Sequence, residues 1–454
     1  MHPIKQAFIC VLLAAVALNP MWSHSGLPDG ADVTIHYWRT VDLEHTWRYG
    51  DLLARWSELY YYGYGAPSFS YTAPGFYALA VMVGWLPGVD DIARVKLILS
   101  LGVLVGVWGA FRYSARRWGI AGGLLSAAAF AFAPMLIFQE PMARASFGVV
   151  FGMGCAAAAI AALDDLVHTR RGMTAAVLAL CGLLLSHNLT AVAGMATIAG
   201  WLLWNRRRAP FWAWGWGAFA VACGLCGFFW IPVLLERGWV RVDLMITNEH
   251  LDWRRGFIPL TELLRWPERY DTRLLNNGGH PQLGVIHTVL ALSGIGVALW
   301  RTERRREGVY WVLVTVGALF LVTPYSAPLW NNVATLQQFL FPLRFLNIAA
   351  LGAALLVGGS AILLRRAWSL ALVAIVLSGL YLTTWDWRAF PADGTPAGYI
   401  AHEIESGVLG GTADNEFLPP SVALVPPPTA FVEETVAAFG TPVQRVNPFV
   451  YPTA

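Results

Sequence analysis

Long apolar runs alternate with short polar segments along most of this 454-residue chain. Each run approaches the roughly 20 residues that a helix needs to cross a bilayer. The pattern therefore predicts transmembrane helices near residues 5–22, 91–111, 119–137, 147–163, 173–186, 188–204, 211–235, 283–300, 308–324, 346–364 and 367–385. The first run is followed by NPMWSHSG, which lacks an A-x-A cleavage site. This favours an uncleaved span with a cytoplasmic N-terminus over a signal peptide.

Arginine clusters orient these spans. Cytoplasmic loops are enriched in Lys and Arg, so the clusters are placed inside. They lie at residues 112–117, 170–171, 206–208, 301–306 and 365–366. With all five inside, the spans from residue 91 onward alternate correctly. The C-terminal tail is then external.

The apolar piece at residues 74–88 does not fit this alternation if it crosses the membrane. It is short and has a proline near each end, so we predict a helix that dips into the outer surface. If it crosses, 173–204 would instead form one merged pair. The expected organisation is a membrane domain over 1–385 with 11–12 spans, external loops at 23–73 and 236–282, and an external tail at 386–454.

Composition supports a polytopic membrane protein of the all-α class. Hydrophobic residues make up 57% of the chain and charged residues only 13%, about half of the share usual in soluble domains. The 22 tryptophans suit membrane interfaces. A net charge of +3 without a basic patch on a suitable fold indicates membrane lipids rather than nucleic acid as partners.

The first external loop carries the densest candidate chemistry. Asp32 and His36 are four residues apart, so a helix would place both on one face. Such a pair can accept a proton or contact a divalent cation, whereas the alternative is an ordinary solvated loop. Residues 42–58 have the spacing of an interfacial amphipathic helix with solvated charges. Within that stretch, Arg55 beside Trp56 is a candidate anion contact.

The end of this loop reads GYGAPSFSYTAP. Its glycines permit tight turns, and its prolines stiffen the backbone. Tyr64 and Tyr71 could cover an apolar chain or stack on a sugar ring. The alternative is a turn that returns the chain to the membrane.

Polar residues at the outer ends of later spans are predicted to converge on the same side. Intramembrane polar groups are costly and usually pair or line a site. The candidates are Glu140, Arg144, His187, Asn188 and Arg344. The alternative is that each one caps or joins helices.

Together these motifs resemble the bacterial membrane proteins labelled 6-pyruvoyl-tetrahydropterin synthase-related, which are similar to the GT-C superfamily of polytopic glycosyltransferases. The matching elements are Asp32-His36-Trp38-Arg39, Arg55-Trp56, Gly63 to Tyr71 with Pro74, His187 to Thr190, Phe341 to Phe345, and Glu416 to Pro419. One departure is the absence of an acidic residue after Arg144-Ala145, where Gly148 stands.

This resemblance implies a GT-C-like fold in the bacterial inner membrane and transfer of a sugar from a polyprenyl-phosphate donor on the outer face. Asp32 would be the general base or a metal contact, and His36 would assist it. Arg39, Arg55, Arg144 and Arg344 would be cationic contacts for the donor phosphate. The alternatives are a transporter of lipid-linked saccharides and a non-catalytic relative that binds them.

Overall fold

The computed structural model describes residues 2–241, 244, 252–266, 281–383, 389–390, 392, 394–412, 415–422 and 425. The predicted external loop at 236–282 and the predicted tail at 386–454 therefore lie partly outside the described residues. The first half of the chain forms helices α1 Pro3–Ser23, α2 Val33–Arg48, α3 Ser68–Tyr71, α4 Gly75–Gly84, α5 Asp91–Ala131, the π-helix Met135–Ala143, α6 Phe147–Thr169, α7 Met173–Leu184, α8 Asn188–Asn205, α9 Trp212–Leu225 and α10 Gly227–Glu236.

The second half continues with further helices and short 3₁₀ turns. The helices are α11 Leu260–Leu263, α12 Val285–Trp300, α13 Thr302–Val322, α14 Ala327–Asn332, α15 Ala334–Gln337, α16 Phe345–Val357, α17 Ala361–Leu364, α18 Trp368–Thr383 and α19 Pro396–Ser406. The 3₁₀ turns relevant below are Trp253–Gly256 and Pro342–Arg344. The described residues contain only two isolated β-bridges.

The apolar runs of the sequence form the helices of a membrane bundle. By length and hydropathy, four described helical stretches can cross a membrane, or up to six if each of two bent pairs is one span. The four are Ile4–Ser23, Asp91–Ala143, Phe147–Thr169 and Pro342–Thr383. The longest is interrupted at Gly119, where φ is 74°, so its two halves match separate predicted spans. The protein is thus a multi-pass, all-α membrane protein.

Two predicted elements differ from the structure in their bounds. The run at 74–88 contains the ten-residue α4, whose length of about 15 Å is half of the hydrocarbon core. That this run dips into the surface without crossing stays a prediction. The interfacial helix expected over 42–58 is wrong in its bounds, because α2 begins at Val33 and ends at Arg48. Asp42 is also fully buried rather than solvated.

Small residues bring the central helices α5 and α6 into close contact. A Cβ added at Gly102 would lie 2.5 Å from the Phe151 Cα, and one at Gly109 would lie 2.5 Å from the Ala157 carbonyl carbon. Close backbone approach of this kind is typical of membrane helix pairs. The contact fixes α6, whose first residue lies beside the candidate site and whose last residue adjoins the arginines at 170–171.

The segment after α18 is packed on the first loop, between α1 and α4. Glu403 of α19 accepts the backbone N–H groups of Tyr61, Tyr62 and Gly410 at 3.1, 2.6 and 2.6 Å, and the hydroxyl of Tyr399 at 2.6 Å. Tyr61 and Tyr62 both have positive φ. A carboxylate that receives these bonds stabilises a turn that side-chain-bearing residues otherwise disfavour.

Asp42 gives the first loop a distinct pH dependence. Its Oδ1 accepts the Leu59 N–H at 2.8 Å, and burial raises the pKa of its carboxyl to about 7. The folded loop therefore binds this proton more tightly than the unfolded chain. The resulting stabilisation is present below pH 4 and is lost as the pH rises through 7, at about 1.4 kcal/mol per pH unit.

We expect Asp42→Asn to remove this loss, because the asparagine oxygen can still accept the Leu59 N–H without carrying a charge. Between pH 5 and 8, the melting temperature of the variant should fall less than that of the wild type. The exposed Asp51→Asn variant is the matched control. If the melting temperatures of Asp42→Asn and wild type fell by the same amount across this pH range, the assignment would be contradicted.

Candidate active site

Asp32 is held beside the end of the π-helix by backbone contacts. The N–H groups of Ala31 and Asp32 donate to the carbonyls of Ala143 and Arg144 at 3.2 and 2.7 Å. A Cβ at Gly30 would lie 2.6 Å from the Met142 carbonyl oxygen, so only glycine allows this approach. The first loop therefore meets residues 142–146 at a fixed register.

The Asp32 side chain points to partners from the same segment rather than capping its own helix. Its Oδ2 accepts the Ser146 hydroxyl at 2.7 Å and the Arg144 Nη2–H at 3.1 Å. Burial raises the pKa of Asp32, but Arg144 and the Ser146 hydroxyl outweigh it and hold the pKa below its usual value. Asp32 is consequently an ionised carboxylate at neutral pH.

His36 lies one turn further along α2 and is almost fully buried. Its Nδ1 is 2.7 Å from the Tyr77 hydroxyl, and its ring stacks on Tyr77 and contacts Phe147. Burial lowers the pKa of the imidazole to about 3; Asp32 opposes the shift, while Arg39 and Arg144 add to it. The site therefore presents a neutral histidine beside an ionised aspartate.

A second carboxylate enters from the π-helix. Glu140 is completely buried, and its Oε2 is 3.4 Å from the Arg144 Nη1. Its Oε1 accepts the Asn347 Nδ2–H at 2.7 Å. Wide π-turns often occur at functional sites, and this one ends with the Arg144 N–H bonded to the Gln139 carbonyl at 2.9 Å. As a result, one guanidinium group lies between two carboxylates.

Arg344 brings a second guanidinium group to the site. Its Nη1 donates to the Phe339 carbonyl at 2.9 Å, while its buried Nε has no hydrogen-bond partner. The Phe341 ring centroid lies 5.2 Å from the Arg344 Cζ and 5.9 Å from the Arg144 Cζ. Leu340 has a φ of 62°, a conformation that costs energy for a branched residue and is frequent at functional sites.

His187 and Asn188 occupy the turn between α7 and α8. The His187 Nδ1 accepts the Thr190 N–H at 3.3 Å and so caps α8. Burial together with Arg344 lowers the pKa of His187. Asn188 accepts the Ala73 N–H at 2.9 Å and donates to the Tyr71 carbonyl at 2.6 Å. His187 thus faces the charged groups of the site, and the Asn188 amide fixes the end of the first loop.

Gly148 explains why an acidic residue is missing at that position. A Cβ there would lie 2.7 Å from the Ser186 carbonyl oxygen. The turn that carries His187 is packed directly against α6, which leaves no room for a carboxylate. Glu140 supplies the second acid of the site from a different element.

We expect Gly148→Ala to lower stability by about 1–3 kcal/mol, since overpacking displaces the turn. The matched control is Gly217→Ala in α9, where an added Cβ meets nothing within 4 Å. The control should be neutral or slightly stabilising. Thermal melting in detergent measures both variants, and equal melting temperatures would contradict this account of the packing.

The remaining predicted contacts are divided between two places. The Arg39 Nη2 donates to the Gly411 carbonyl at 3.2 Å. Arg39 also interacts with the Tyr77 side chain, which places it next to the site. Arg55 instead pairs with Glu236, and the Tyr71 hydroxyl donates to the Glu236 carbonyl at 2.9 Å. Tyr64 lies in the turn near Gly63. The structure therefore brings together Asp32, His36, Arg39, Arg144, His187 and Arg344, and leaves Arg55, Tyr64 and Tyr71 in the surrounding loop.

Sequence reasoning did not single out Ser146, Tyr77 or Asn347. Ser146 follows Ala145, which has a φ of 55°, so the local backbone turns the hydroxyl toward Asp32. Its position directly after the Arg144-Ala145 pair was the available signal. Tyr77 and Asn347 sit within apolar runs, and an isolated polar residue there is the general signal for a buried partner.

The donor set does not fit a divalent metal ion. Three of the four oxygens of Asp32 and Glu140 accept hydrogens from Arg144, Ser146 or Asn347. A metal ion placed between the two carboxylates would have to displace the Arg144 guanidinium, whose positive charge already lies there. Among the described residues there is also no group of three or more His, Cys, Asp or Glu side chains that could hold a metal ion.

The fold is similar to those of several solved transferase structures. The structure is similar to the arabinofuranosyltransferase AftD from Mycobacteria, with a TM-score of 0.54 and 18% identity over 84% of this chain and 26% of that chain. It is also similar to ArnT from Cupriavidus metallidurans in the apo state, with a TM-score of 0.50 and 15% identity over 88% of this chain and 68% of that chain. For the Archaeoglobus fulgidus oligosaccharyltransferase tethered to an acceptor peptide, the TM-score is 0.50 and the identity 13%, over 99% of this chain and 61% of that chain.

This chain thus spans about a quarter of AftD and less than two thirds of the oligosaccharyltransferase. No family model matches the sequence, and no curated protein matches it. The 6-pyruvoyl-tetrahydropterin synthase-related label finds no support in these similarities. The helical bundle and its neighbours nevertheless agree on one architecture: the protein has the fold of the GT-C membrane glycosyltransferases.

Proposed function

We propose that the protein transfers a sugar from a polyprenyl-phosphate-linked donor to a hydroxyl acceptor at the outer face of the membrane. The observation that carries this proposal is the Arg344 guanidinium. No carboxylate forms an ion pair with it in the described part of the chain, and it lies with Arg144 against one phenyl ring. Arg344 is half-buried, and Asp32 and Glu140 act on it only from beyond ion-pair distance. A cation that is partly desolvated without a paired anion is costly, and an anionic group of the substrate would relieve that cost.

A phosphate suits this place better than a carboxylate. Guanidinium groups match phosphate oxygens through parallel hydrogen bonds, and Phe341 excludes water from one side of both arginines. The predicted outer orientation also supports the proposal, because the site lies at the opposite end of α6 from the arginines at 170–171. A helix of 23 residues is about 34 Å long, which is comparable with the hydrocarbon core.

The chemistry follows from these positions. The bond between the sugar C1 and the phosphate oxygen breaks, and a new bond forms between C1 and the acceptor oxygen. The departing phosphate keeps the bonding electrons, and Arg344 stabilises its charge. Such a leaving group needs no proton. The Asp32 carboxylate accepts the acceptor's hydroxyl proton as the new bond forms and later releases it to water.

His36 has a positioning role in this scheme. A neutral imidazole bonded to Tyr77 adds no positive charge beside Asp32, so the carboxylate remains a usable proton acceptor. The likeness to an arabinofuranosyltransferase and an oligosaccharyltransferase accords with sugar transfer.

The test uses purified protein in nanodiscs with a panel of radiolabelled sugars on polyprenyl phosphate and an acceptor mixture from the cell envelope. Appearance of free polyprenyl phosphate together with labelled acceptor supports the proposal. Movement of intact donor across a reconstituted vesicle without cleavage would establish a transporter instead. Saturable donor binding without either event would establish a non-catalytic binding protein.

A further inference from the structure

Arg144 lies between two acidic side chains of the candidate site. Its two terminal nitrogens point to different carboxylates, with Nη2 at 3.1 Å from the Asp32 Oδ2 and Nη1 at 3.4 Å from the Glu140 Oε2. Glu140 is fully buried, and Asp32 is about one quarter exposed. Two acids at this spacing would repel one another without a cation between them.

Divalent cations commonly hold such carboxylate pairs at phosphate-handling sites. Here the cation belongs to the chain. The Ser146 hydroxyl and the Asn347 amide donate to the same two carboxylates, so the oxygens are oriented toward hydrogen-bond donors. The backbone fixes the arrangement, because the Arg144 carbonyl accepts the Asp32 N–H and its N–H donates to Gln139.

We propose that the Arg144 guanidinium permanently occupies the place of a divalent metal ion, so that the site works without metal. This inference rests on the proposed function only where it concerns transfer, since the occupancy itself is a property of the protein alone. Arg144 neutralises part of the charge of Asp32 and Glu140 while Arg344 remains for the anionic substrate. The two arginines therefore divide between them the structural and the phosphate-binding roles that one metal ion can combine.

The decisive experiment measures Mn²⁺ binding to the full-length purified protein by electron paramagnetic resonance, with no sugar donor present. Any Mn²⁺ binding to the wild-type protein should be unchanged by Asp32→Asn. Arg144→Ala should open the carboxylate pair and bind Mn²⁺ at least about tenfold more tightly than wild type. Adding Asp32→Asn to Arg144→Ala should abolish that gain.

Arg48→Ala is the matched control, because it removes an exposed arginine that pairs with a carboxylate, Glu44, one turn away on α2. This control should gain no comparable site. A wild-type Mn²⁺ site that depends on Asp32 would overturn the inference even if Arg144→Ala does not fold. A folded Arg144→Ala protein without new Mn²⁺ binding would overturn it as well.

The activity arm distinguishes this inference from the proposed function. If wild-type protein transfers sugar, its rate should change less than about twofold in excess EDTA, whereas loss of transfer in EDTA would refute metal independence. Absence of transfer with every donor would defeat the proposed function. In that case the Mn²⁺ measurements still decide whether Arg144 holds the position of a metal.

Discussion

Replacing Asp32 by asparagine is expected to lower kcat for sugar transfer by about 10²–10⁴, the usual contribution of a positioned general base. Asparagine has the same shape, and its oxygen can still accept the Ser146 hydroxyl at the observed 2.7 Å position. Folding and donor binding should therefore change little. The loss would come from the missing proton acceptor, since an amide oxygen is too weak a base.

The measurement is initial-rate kinetics with the donor identified by the panel, together with thermal melting and donor binding. Asp29→Asn, three residues earlier in the same loop, is the matched control and should retain nearly full activity. Full activity of Asp32→Asn would remove Asp32 from the chemical step. A large fall in melting temperature would instead assign it a structural role at the junction with Arg144.

The pH profile provides a second view of the same residue. Because Arg144 and Ser146 hold the pKa of Asp32 below its usual value, Asp32 stays ionised through the neutral range. His36, with a pKa of about 3, stays neutral over that range too. Neither group should therefore produce an acidic limb near pH 6.5 in kcat/KM, and this limb would be expected of an ordinary solvent-exposed histidine.

Arg344→Gln is expected to lower kcat/KM by about 10²–10³, comparable with the loss of one donor that stabilises developing charge. Glutamine can still donate to the Phe339 carbonyl, but it cannot balance a phosphate. Both a higher KM for the donor and a lower kcat should result, because the negative charge grows as the phosphate leaves. Arg344→Lys should recover only part of the loss, since an ammonium group lacks the planar fork.

Steady-state kinetics with varied donor concentration separates the two effects. The exposed Arg48→Gln variant controls for a general loss of positive charge and should keep its activity within about threefold, because surface ion pairs contribute little. If Arg344→Gln behaves like Arg48→Gln, the unpaired guanidinium is not the phosphate contact. Unchanged KM with reduced kcat would restrict Arg344 to the transition state.

Much of the membrane architecture is encoded locally. The predicted spans at 147–163, 283–300 and 367–385 lie within or close to α6, α12 and α18. The reason is that hydrocarbon thickness sets the length of each apolar run independently of its neighbours. The same local rules were less informative for the run at 211–235, where the structure has two helices, α9 and α10, bent by 67° at Cys226.

The candidate site could be predicted as a set of residues but not as an arrangement. Convergence of Asp32, Arg144, His187 and Arg344 on one side followed from span orientation alone. The sequence did not reveal that Arg144 lies between Asp32 and Glu140. The sequence pattern also predicted a solvated helix over residues 42–58, whereas the tertiary packing buries Asp42. Glu403, 342 positions away in the chain, stabilises the turn at Tyr61.

The length and charge of each segment were enough to predict a polytopic helical membrane protein with a polar first loop, because these properties govern whether a segment crosses the bilayer. The pairing of the polar groups depends instead on contacts between segments that are far apart in the chain. Asp32 and Arg144 are 112 positions apart, and Glu140 and Asn347 are 207 apart. Their contacts depend on close backbone approaches at Gly30 and Gly148, where the absence of a side chain is what allows two distant segments to pack.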